Sequence, residues 1–74
     1  MDITVRLFLA FRTGRFNTKV LQYAEGTTVR QVVDDLRLPE ADLGTAIVNG
    51  REAELGDVLS PGDTLLVFPL VGGG

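Results

Sequence analysis

One segment of the chain carries the apolar spacing of an amphipathic helix, and this limits the folds open to the rest. Its apolar residues recur at i, i+3, i+4 and i+7 and so form one stripe: Val29, Val32, Val33 and Leu36. Thr28, with Gln31 three residues later, is the signature of a capping box, which predicts that the helix begins there. Pro39 is predicted to end it, because a proline ring cannot continue a helix.

The residues before this helix follow the two-residue period of β-strands. Residues 2–10 alternate and predict a strand whose core-facing side chains are Ile3, Val5, Leu7 and Leu9. A second run over residues 19–23 follows a loop that holds glycine and charged residues, so the two runs are predicted to form a hairpin. In that loop, Arg12 and Arg15 are interpreted as exposed charges, with a contact at the rim of a docking surface as the alternative.

The residues after the helix predict a second hairpin and a final strand. A short strand at residues 46–48 is followed by Asn49-Gly50, a pair typical of tight reversals. Val58-Leu59 is expected to anchor one turn of helix to the core. Residues 60–63 have the composition of a β-turn, and the last strand is predicted over residues 64–70.

A chain of 74 residues is expected to form one domain with a single small core. In such a domain a lone helix has only the sheet to cover, which predicts an α+β fold of the β-grasp type. One helix would pack across a mixed sheet of four or five strands, with the last strand parallel to the first at the centre. The domain is predicted over residues 1–71, with residues 72–74 as a flexible glycine tail.

Composition excludes several classes of function. The chain has no cysteine and no histidine, which removes thiolate nucleophiles, Cys/His zinc sites and histidine acid–base chemistry. The net charge of −3 argues against binding of nucleic acid, and no run approaches the 20 or so apolar residues of a membrane helix. A cytoplasmic protein that is monomeric when free is expected. Two pairs of acids, Asp34-Asp35 and Glu52 with Glu54, are interpreted as solvated surface charges.

The last strand is apolar on both sides, which is unusual for a sheet that a helix covers on one side only. If Leu65, Val67 and Pro69 face the core, the outward side chains are Leu66, Phe68 and Leu70, and the first strand adds Phe8. Contiguous exposed apolar surface on a small domain usually marks an interface. These four residues are therefore predicted to bind a partner.

The chain closes on Gly72-Gly73-Gly74. Glycines lack a Cβ atom, so such a segment can lie extended in a channel too narrow for side chains and present a backbone carboxylate at its tip. At about 3.5 Å per residue, the tip reaches roughly 10 Å beyond the final strand. This tail follows directly on the strand with the apolar outward side.

Over essentially its whole length the chain resembles the ubiquitin-like sulfur carriers of the MoaD and ThiS type. The resemblance rests on five segments in this order: ITVRLF (3–8), EGTTVRQVVDDL (25–36), VNG (48–50), PGDTLLVFP (61–69) and the pair Gly73-Gly74. It implies that the Gly74 carboxylate is adenylated by a ubiquitin-activating-like enzyme and converted to a thiocarboxylate. ATP and magnesium would be used by that enzyme, and the carrier would be no enzyme and bind no cofactor or metal.

The resemblance also implies a second partner and leaves its identity open. Phe8 with Phe68-Pro69 resembles MoaD, which docks on the large subunit of molybdopterin synthase, and this branch is favoured. Leu70 stands where MoaD tails often carry a second proline, and the glycine ending is similar to tails of ThiS, which serves thiazole synthase in thiamine formation. The alternatives are therefore a ThiS-type carrier and, from another class, a non-reactive β-grasp interaction module or a ubiquitin-like protein modifier.

Overall fold

The computed structural model describes residues 1–71, in which one α-helix lies across a five-stranded sheet. The helix is α1 (Val29–Asp35), and two short 3-10 helices cover Leu9–Arg12 and Glu40–Asp42. The strands are β1 (Asp2–Leu7), β2 (Thr18–Gln22), β3 (Leu43–Val48), β4 (Arg51–Ala53) and β5 (Thr64–Pro69). Their order across the sheet is β2-β1-β5-β3-β4, with β1 and β5 parallel and the other pairs antiparallel.

This arrangement confirms the predicted β-grasp fold, with five strands and the last one at the centre beside the first. The predicted tail at residues 72–74 lies outside the described residues. Within residues 1–71, no helix has both the length and the apolar character needed to cross a membrane.

The predicted start of α1 is confirmed in atomic detail. The Thr28 hydroxyl accepts a hydrogen bond from the Gln31 backbone N–H at 3.3 Å, and the Thr28 N–H donates to Gln31 Oε1 at 2.8 Å. These bonds satisfy two donors that have no partner inside the helix. The apolar stripe then packs on the sheet, with Val29, Val32 and Val33 buried and Leu36 partly buried.

The predicted cause of the helix end is wrong. The helix ends at Asp35, four residues before Pro39, because Arg37 adopts a left-handed φ of 55°. The Leu38 N–H then donates to the Val33 carbonyl, and the Arg37 N–H donates to the Asp34 carbonyl, both at 3.0 Å, which is the bond pattern of a Schellman motif.

Arg15 holds this helix end from the β1–β2 loop. Its guanidinium donates to the carbonyls of Leu36 at 3.2 Å and Arg37 at 3.1 Å. A cation at the carboxyl end of a helix also interacts favourably with the helix dipole. Arg12 and Arg15 are both exposed, as the sequence indicated, and Arg15 is in addition a structural contact that the sequence did not reveal.

The core lies between α1 and one side of the sheet. The predicted inward positions of β5 are confirmed, since Leu65 and Val67 are fully buried and Pro69 is buried. The other buried core residues come from β1, α1, β3 and the segments that follow β1, α1 and β4: Ile3, Val5, Leu7, Phe11, Val29, Val32, Val33, Leu38, Ala46 and Leu59.

The prediction for the end of the first strand is wrong. β1 stops at Leu7, and Leu9 is 59% exposed in a left-handed conformation with φ of 53°. The chain turns here into a short 3-10 helix, in which the Phe11 N–H donates to the Phe8 carbonyl at 3.1 Å. Phe11 takes the buried position that the alternation assigned to Leu9.

The region after α1 agrees with the prediction at its turns. Asn49 and Gly50 have φ of 49° and 83°, the left-handed pair that a tight hairpin requires, and they join β3 to β4. The predicted β-turn at residues 60–63 is closed by the Asp63 N–H, which donates to the Ser60 carbonyl at 3.1 Å.

The predicted helical turn at Val58-Leu59 is wrong. Val58 forms an isolated β-bridge with Thr28, and the Leu59 N–H donates to the Thr27 carbonyl at 2.9 Å. These bonds to residues just before α1 replace the local bonds of a helix. Leu59 is buried as expected, whereas Val58 is 63% exposed.

Tyr23 connects β2 to α1 through a hydrogen bond from its hydroxyl to Asp35 Oδ2 at 2.9 Å. Burial raises the pKa of the Tyr23 phenol well above its ordinary value of 10.0, and the hydrogen bond and the negative charge of Asp35 raise this pKa further. The native state therefore holds this proton more tightly than the unfolded chain. The raised pKa of Tyr23 therefore stabilises the native state fully below pH 10.0, and this stabilisation is lost as the pH rises toward the pKa of Tyr23 in the folded protein.

We expect Tyr23→Phe to lower the free energy of unfolding by about 1 kcal/mol at neutral pH, because one hydrogen bond is removed. Above pH 10.0 the unfolding free energy of the parent should fall more steeply than that of the variant. Urea unfolding at about pH 8 and about pH 11 measures both effects. Parallel pH profiles for the two proteins would contradict the role given to this phenol.

Candidate functional site

The side of the sheet that α1 leaves uncovered carries half-buried apolar side chains. On β5 these are Leu66 and Phe68, which alternate with the buried Leu65 and Val67. Ile47 on β3 lies opposite Leu66 in the register and adds a third. We call this side of the sheet the open face.

Phe8 and Phe68 form a stacked pair on the open face. Their ring centroids are 4.1 Å apart and their planes differ by 12°. The pair exists because β1 and β5 are parallel neighbours, paired as far as Leu7 and Val67. The residues that follow, Phe8 and Phe68, therefore lie side by side. Stacking of two aromatic rings contributes about 0.5–1.5 kcal/mol beyond the area buried. The pair is therefore formed before any partner arrives.

Two arginines flank this aromatic pair. The Cζ atoms of Arg6 and Arg12 lie 5.5 Å and 5.4 Å from the centroid of the Phe8 ring, within the range of cation–π attraction. Arg12 Nε also donates to the Leu7 carbonyl at 2.9 Å. Within residues 1–71 the one salt bridge joins Arg30 to Glu40, so neither arginine pairs with a carboxylate there. The open face thus combines an apolar centre with two cations at one side.

Leu70 does not lie on the open face with Leu66 and Phe68. It lies beyond the end of β5, is 61% exposed, and its N–H donates to the Asp42 carbonyl at 2.7 Å. There it borders a groove of about 280 Å³ that Phe11, Arg15 and Pro39 also line. The structure thus brings three of the four predicted contact residues, Phe8, Leu66 and Phe68, onto one face and places Leu70 at the point where the chain leaves the sheet.

The predicted tail residues Gly72, Gly73 and Gly74 lie outside the described residues, and their role stays a prediction. Ile47 and Arg6 also lie on the open face and were not predicted from the sequence. Ile47 lies within a run of three apolar residues, which hid its outward direction. Arg6 precedes Phe8 by two residues in an alternating segment, and that spacing was the signal for a shared face.

The acidic residues offer no comparable site. Asp34, Asp35, Glu52 and Glu54 are all exposed, in keeping with solvated charges. In the part of the chain that the structure describes, no three Asp or Glu side chains come close enough to hold a metal ion.

A single helix across a five-stranded mixed sheet, with the first and last strands parallel at its centre, defines a ubiquitin-like β-grasp protein. The sequence profile of the ThiS family matches residues 5–74, and the chain belongs to the ThiS family. Members of this family are small ubiquitin-like carrier proteins of the ThiS and MoaD type, which work with partner enzymes and are not enzymes themselves. No curated protein sequence matches the chain.

Solved structures with the same fold include an archaeal modifier protein and subunits of molybdopterin converting factors. SAMP1 from Haloferax volcanii, a small archaeal modifier protein, is 26% identical with a TM-score of 0.79, and the match covers 100% of both chains. A putative molybdopterin converting factor subunit 1 from Pyrococcus furiosus is 24% identical with a TM-score of 0.77, covering 96% of this chain and 99% of that one.

A third structure was solved as a complex. It holds subunits 1 and 2 of the molybdopterin-converting factor from Helicobacter pylori, with 19% identity, a TM-score of 0.67 and coverage of 100% of both chains. At these identities, the Pyrococcus and Helicobacter structures establish a shared fold.

Proposed function

We propose that the chain is a sulfur carrier for molybdopterin biosynthesis, whose Gly74 carboxylate is adenylated and then converted to a thiocarboxylate. The observation that carries the proposal is the preformed Phe8–Phe68 pair, which lies on the open face next to the end of β5. Beyond that end the chain continues to Gly73-Gly74. A partner that binds the pair also receives the segment that follows it.

The chemistry requires two steps, both catalysed by partners. A carboxylate is a poor electrophile, so its oxygen first attacks the α-phosphate of ATP and pyrophosphate leaves, giving an acyl-adenylate. Sulfide-level sulfur then attacks the acyl carbon, a C–S bond forms as the C–O bond to AMP breaks, and the product is a thiocarboxylate, which is a good nucleophile at neutral pH. ATP and magnesium belong to the activating enzyme in this proposal. The carrier needs only to dock and to present its last carboxylate.

Two features support the molybdopterin branch. The aromatic residues ahead of the tail resemble MoaD, and the Helicobacter protein with this fold was solved together with its subunit 2. We accordingly assign the open face to a large-subunit partner of the molybdopterin synthase type. The ThiS-type role in thiamine thiazole synthesis is the alternative that the glycine ending favours.

The similarity to SAMP1 over both full chains favours a second candidate, a protein modifier. In that case the activated carboxyl group would be attacked by a lysine amine instead of a sulfur donor, and an amide bond would form with loss of AMP. The two candidates share the activation step and differ in the nucleophile. A non-reactive interaction module would need neither ATP nor the glycines.

We expect incubation with ATP, magnesium, a sulfur source and a ubiquitin-activating-like enzyme to exchange one carboxylate oxygen of the chain for sulfur. Intact mass spectrometry measures the exchange and first verifies that the mature chain ends at Gly74. Deletion of Gly73 and Gly74 is the control, and it should preserve the fold and abolish the exchange. Lysine conjugates without a thiocarboxylate would favour the modifier, and ATP-independent partner binding with no mass change would contradict both reactive candidates.

We expect Phe68→Ala to weaken binding to the large subunit by about 2 kcal/mol, or roughly 30-fold in Kd, because it removes a central aromatic anchor and leaves Phe8 without its stacking partner. Calorimetric titration measures the loss. Val20→Ala is the matched control, since Val20 is an exposed apolar residue on the same side of the sheet but on the edge strand β2. Equal affinity of the Phe68 variant and the parent would remove the pair from the interface.

Arg6 and Arg12, which form no salt bridge within residues 1–71, indicate which charge the partner surface should carry. We expect carboxylates beside the apolar pocket that receives Phe8, so Arg6→Gln should slow association several-fold at low ionic strength and have little effect at high salt. Arg51→Gln removes the same charge from β4 and serves as the control. Stopped-flow association at two salt concentrations measures both variants. Identical rates for the two would show that the cations beside Phe8 meet no acidic surface.

A further inference from the structure

The pairing of β3 with β5 is irregular at one residue, Gly44. Leu43 pairs with Pro69 and Thr45 pairs with Phe68, so Gly44 is an extra residue between two consecutive positions of β5. Such a β-bulge bends its strand, and bulges are often found where a side chain changes direction or where strand pairing ends. Here it lies opposite the end of β5, at the point where the chain leaves the sheet.

The backbone of β5 approaches Gly44 so closely that no side chain fits. A Cβ atom at this position would lie 2.6 Å from the Pro69 carbonyl oxygen, 2.8 Å from the Pro69 carbonyl carbon and 3.0 Å from the Leu70 nitrogen. All three are backbone atoms, so the contact cannot be relieved by rotation of a side chain. The five other glycines of the described chain would have nothing within 4 Å of an added Cβ.

This close approach coincides with the hydrogen bond that ties Leu70 to the body of the protein. The Leu70 N–H donates to the Asp42 carbonyl at 2.7 Å, from one residue beyond the last strand to the residue before β3. A Cβ at Gly44 would force the backbone at Gly44 or at Pro69 and Leu70 to shift, and we expect this shift to break the bond. The bulge and the bond together form a backbone clamp, which consists of Gly44, Asp42, Pro69 and Leu70.

We infer that Gly44 is a positioning residue. It fixes where the tether begins, by which we mean residues 71–74, the segment between Leu70 and the reacting carboxylate. The inference rests on the proposed function. Four residues follow Leu70 in the sequence, and at about 3.5 Å per residue they span at most roughly 14 Å. When the tether length matches the distance between the docking face and a partner's active site, the effective concentration of the carboxylate there is highest. Opening the clamp would free Pro69 and Leu70 and lengthen the tether by about two residues.

Gly44→Ala tests the clamp, and Gly56→Ala is the matched control because an added Cβ at Gly56 meets no atom within 4 Å. Native-state hydrogen exchange should show the Leu70 amide losing its protection in the first variant and keeping it in the second. Amides of the central part of β5, such as Val67, should stay protected in both. Unchanged protection of Leu70 in Gly44→Ala would overturn the clamp.

Combining a shorter tail with Gly44→Ala distinguishes a positioning role of Gly44 from simple destabilisation of the fold. Deleting Gly72 shortens the tether, and in the parent we expect the rate of ATP-dependent activation to fall about tenfold or more, because a tether that is too short cannot span its sites. In the Gly44→Ala background the same deletion should cost less than about threefold, because the freed residues restore the reach. A variant that is merely unstable would not be rescued in this way.

The outcomes distinguish this inference from the function on which it rests. No activation of the parent with its full tail contradicts the proposed function. Activation of the parent, with equal losses from the Gly72 deletion in both backgrounds, overturns the positioning role alone. If Gly44→Ala fails to fold, Leu70→Pro removes the same N–H donor without adding a Cβ at Gly44, and the same rescue of the Gly72 deletion is expected.

Discussion

The parallel pairing of β1 with β5 is the constraint on which the rest of the molecule depends. It places the last strand at the centre of the sheet, bonded on one side to β1 and on the other to β3. Two strands can be parallel neighbours only when the chain crosses back between them, and the segment that contains α1 provides this crossover. The same pairing brings Phe8 beside Phe68 and directs the end of the chain out of the middle of the sheet.

The open face shows how a small domain can keep an apolar surface without a permanent cover. The two phenyl rings bury one side of each against the other, and the arginine side chains lie over Phe8 with their charged groups close to water. Each contact reduces the apolar area that meets solvent, and each is of a kind that a partner can replace. The face is thus ordered in the free protein, so a partner need not bear the entropy cost of arranging it.

Signals that act over a few residues were readable in the sequence, and signals that join distant residues were not. The capping box, the Asn49-Gly50 hairpin and the alternation of β5 are local, and the structure contains all three. Two errors involve distant residues: the helix end before Pro39 is held by Arg15 from the first loop, and Val58 forms a bridge to Thr28. The error at Leu9 is the local exception, since the chain turns there into a 3-10 helix that buries Phe11 two residues later.

The same distinction applies to most of the site. Outward Phe8 and Phe68 follow from alternation, which also indicates Arg6, whereas the register that makes Ile47 a neighbour and Gly44 a bulge belongs to the folded sheet.

In the proposed function, the docking face and the reacting carboxylate are separate parts of the chain. Binding energy comes from side chains held by the sheet, whereas the chemistry takes place at the backbone carboxylate of a glycine. Such a division works only if the boundary between the fixed and the tethered parts is sharp, because slack at the boundary dilutes the carboxylate within the partner. In the clamp that we infer, this boundary lies two residues beyond Phe68, where the Leu70 N–H donates to the Asp42 carbonyl and the absence of a Cβ at Gly44 leaves room for the Pro69 backbone.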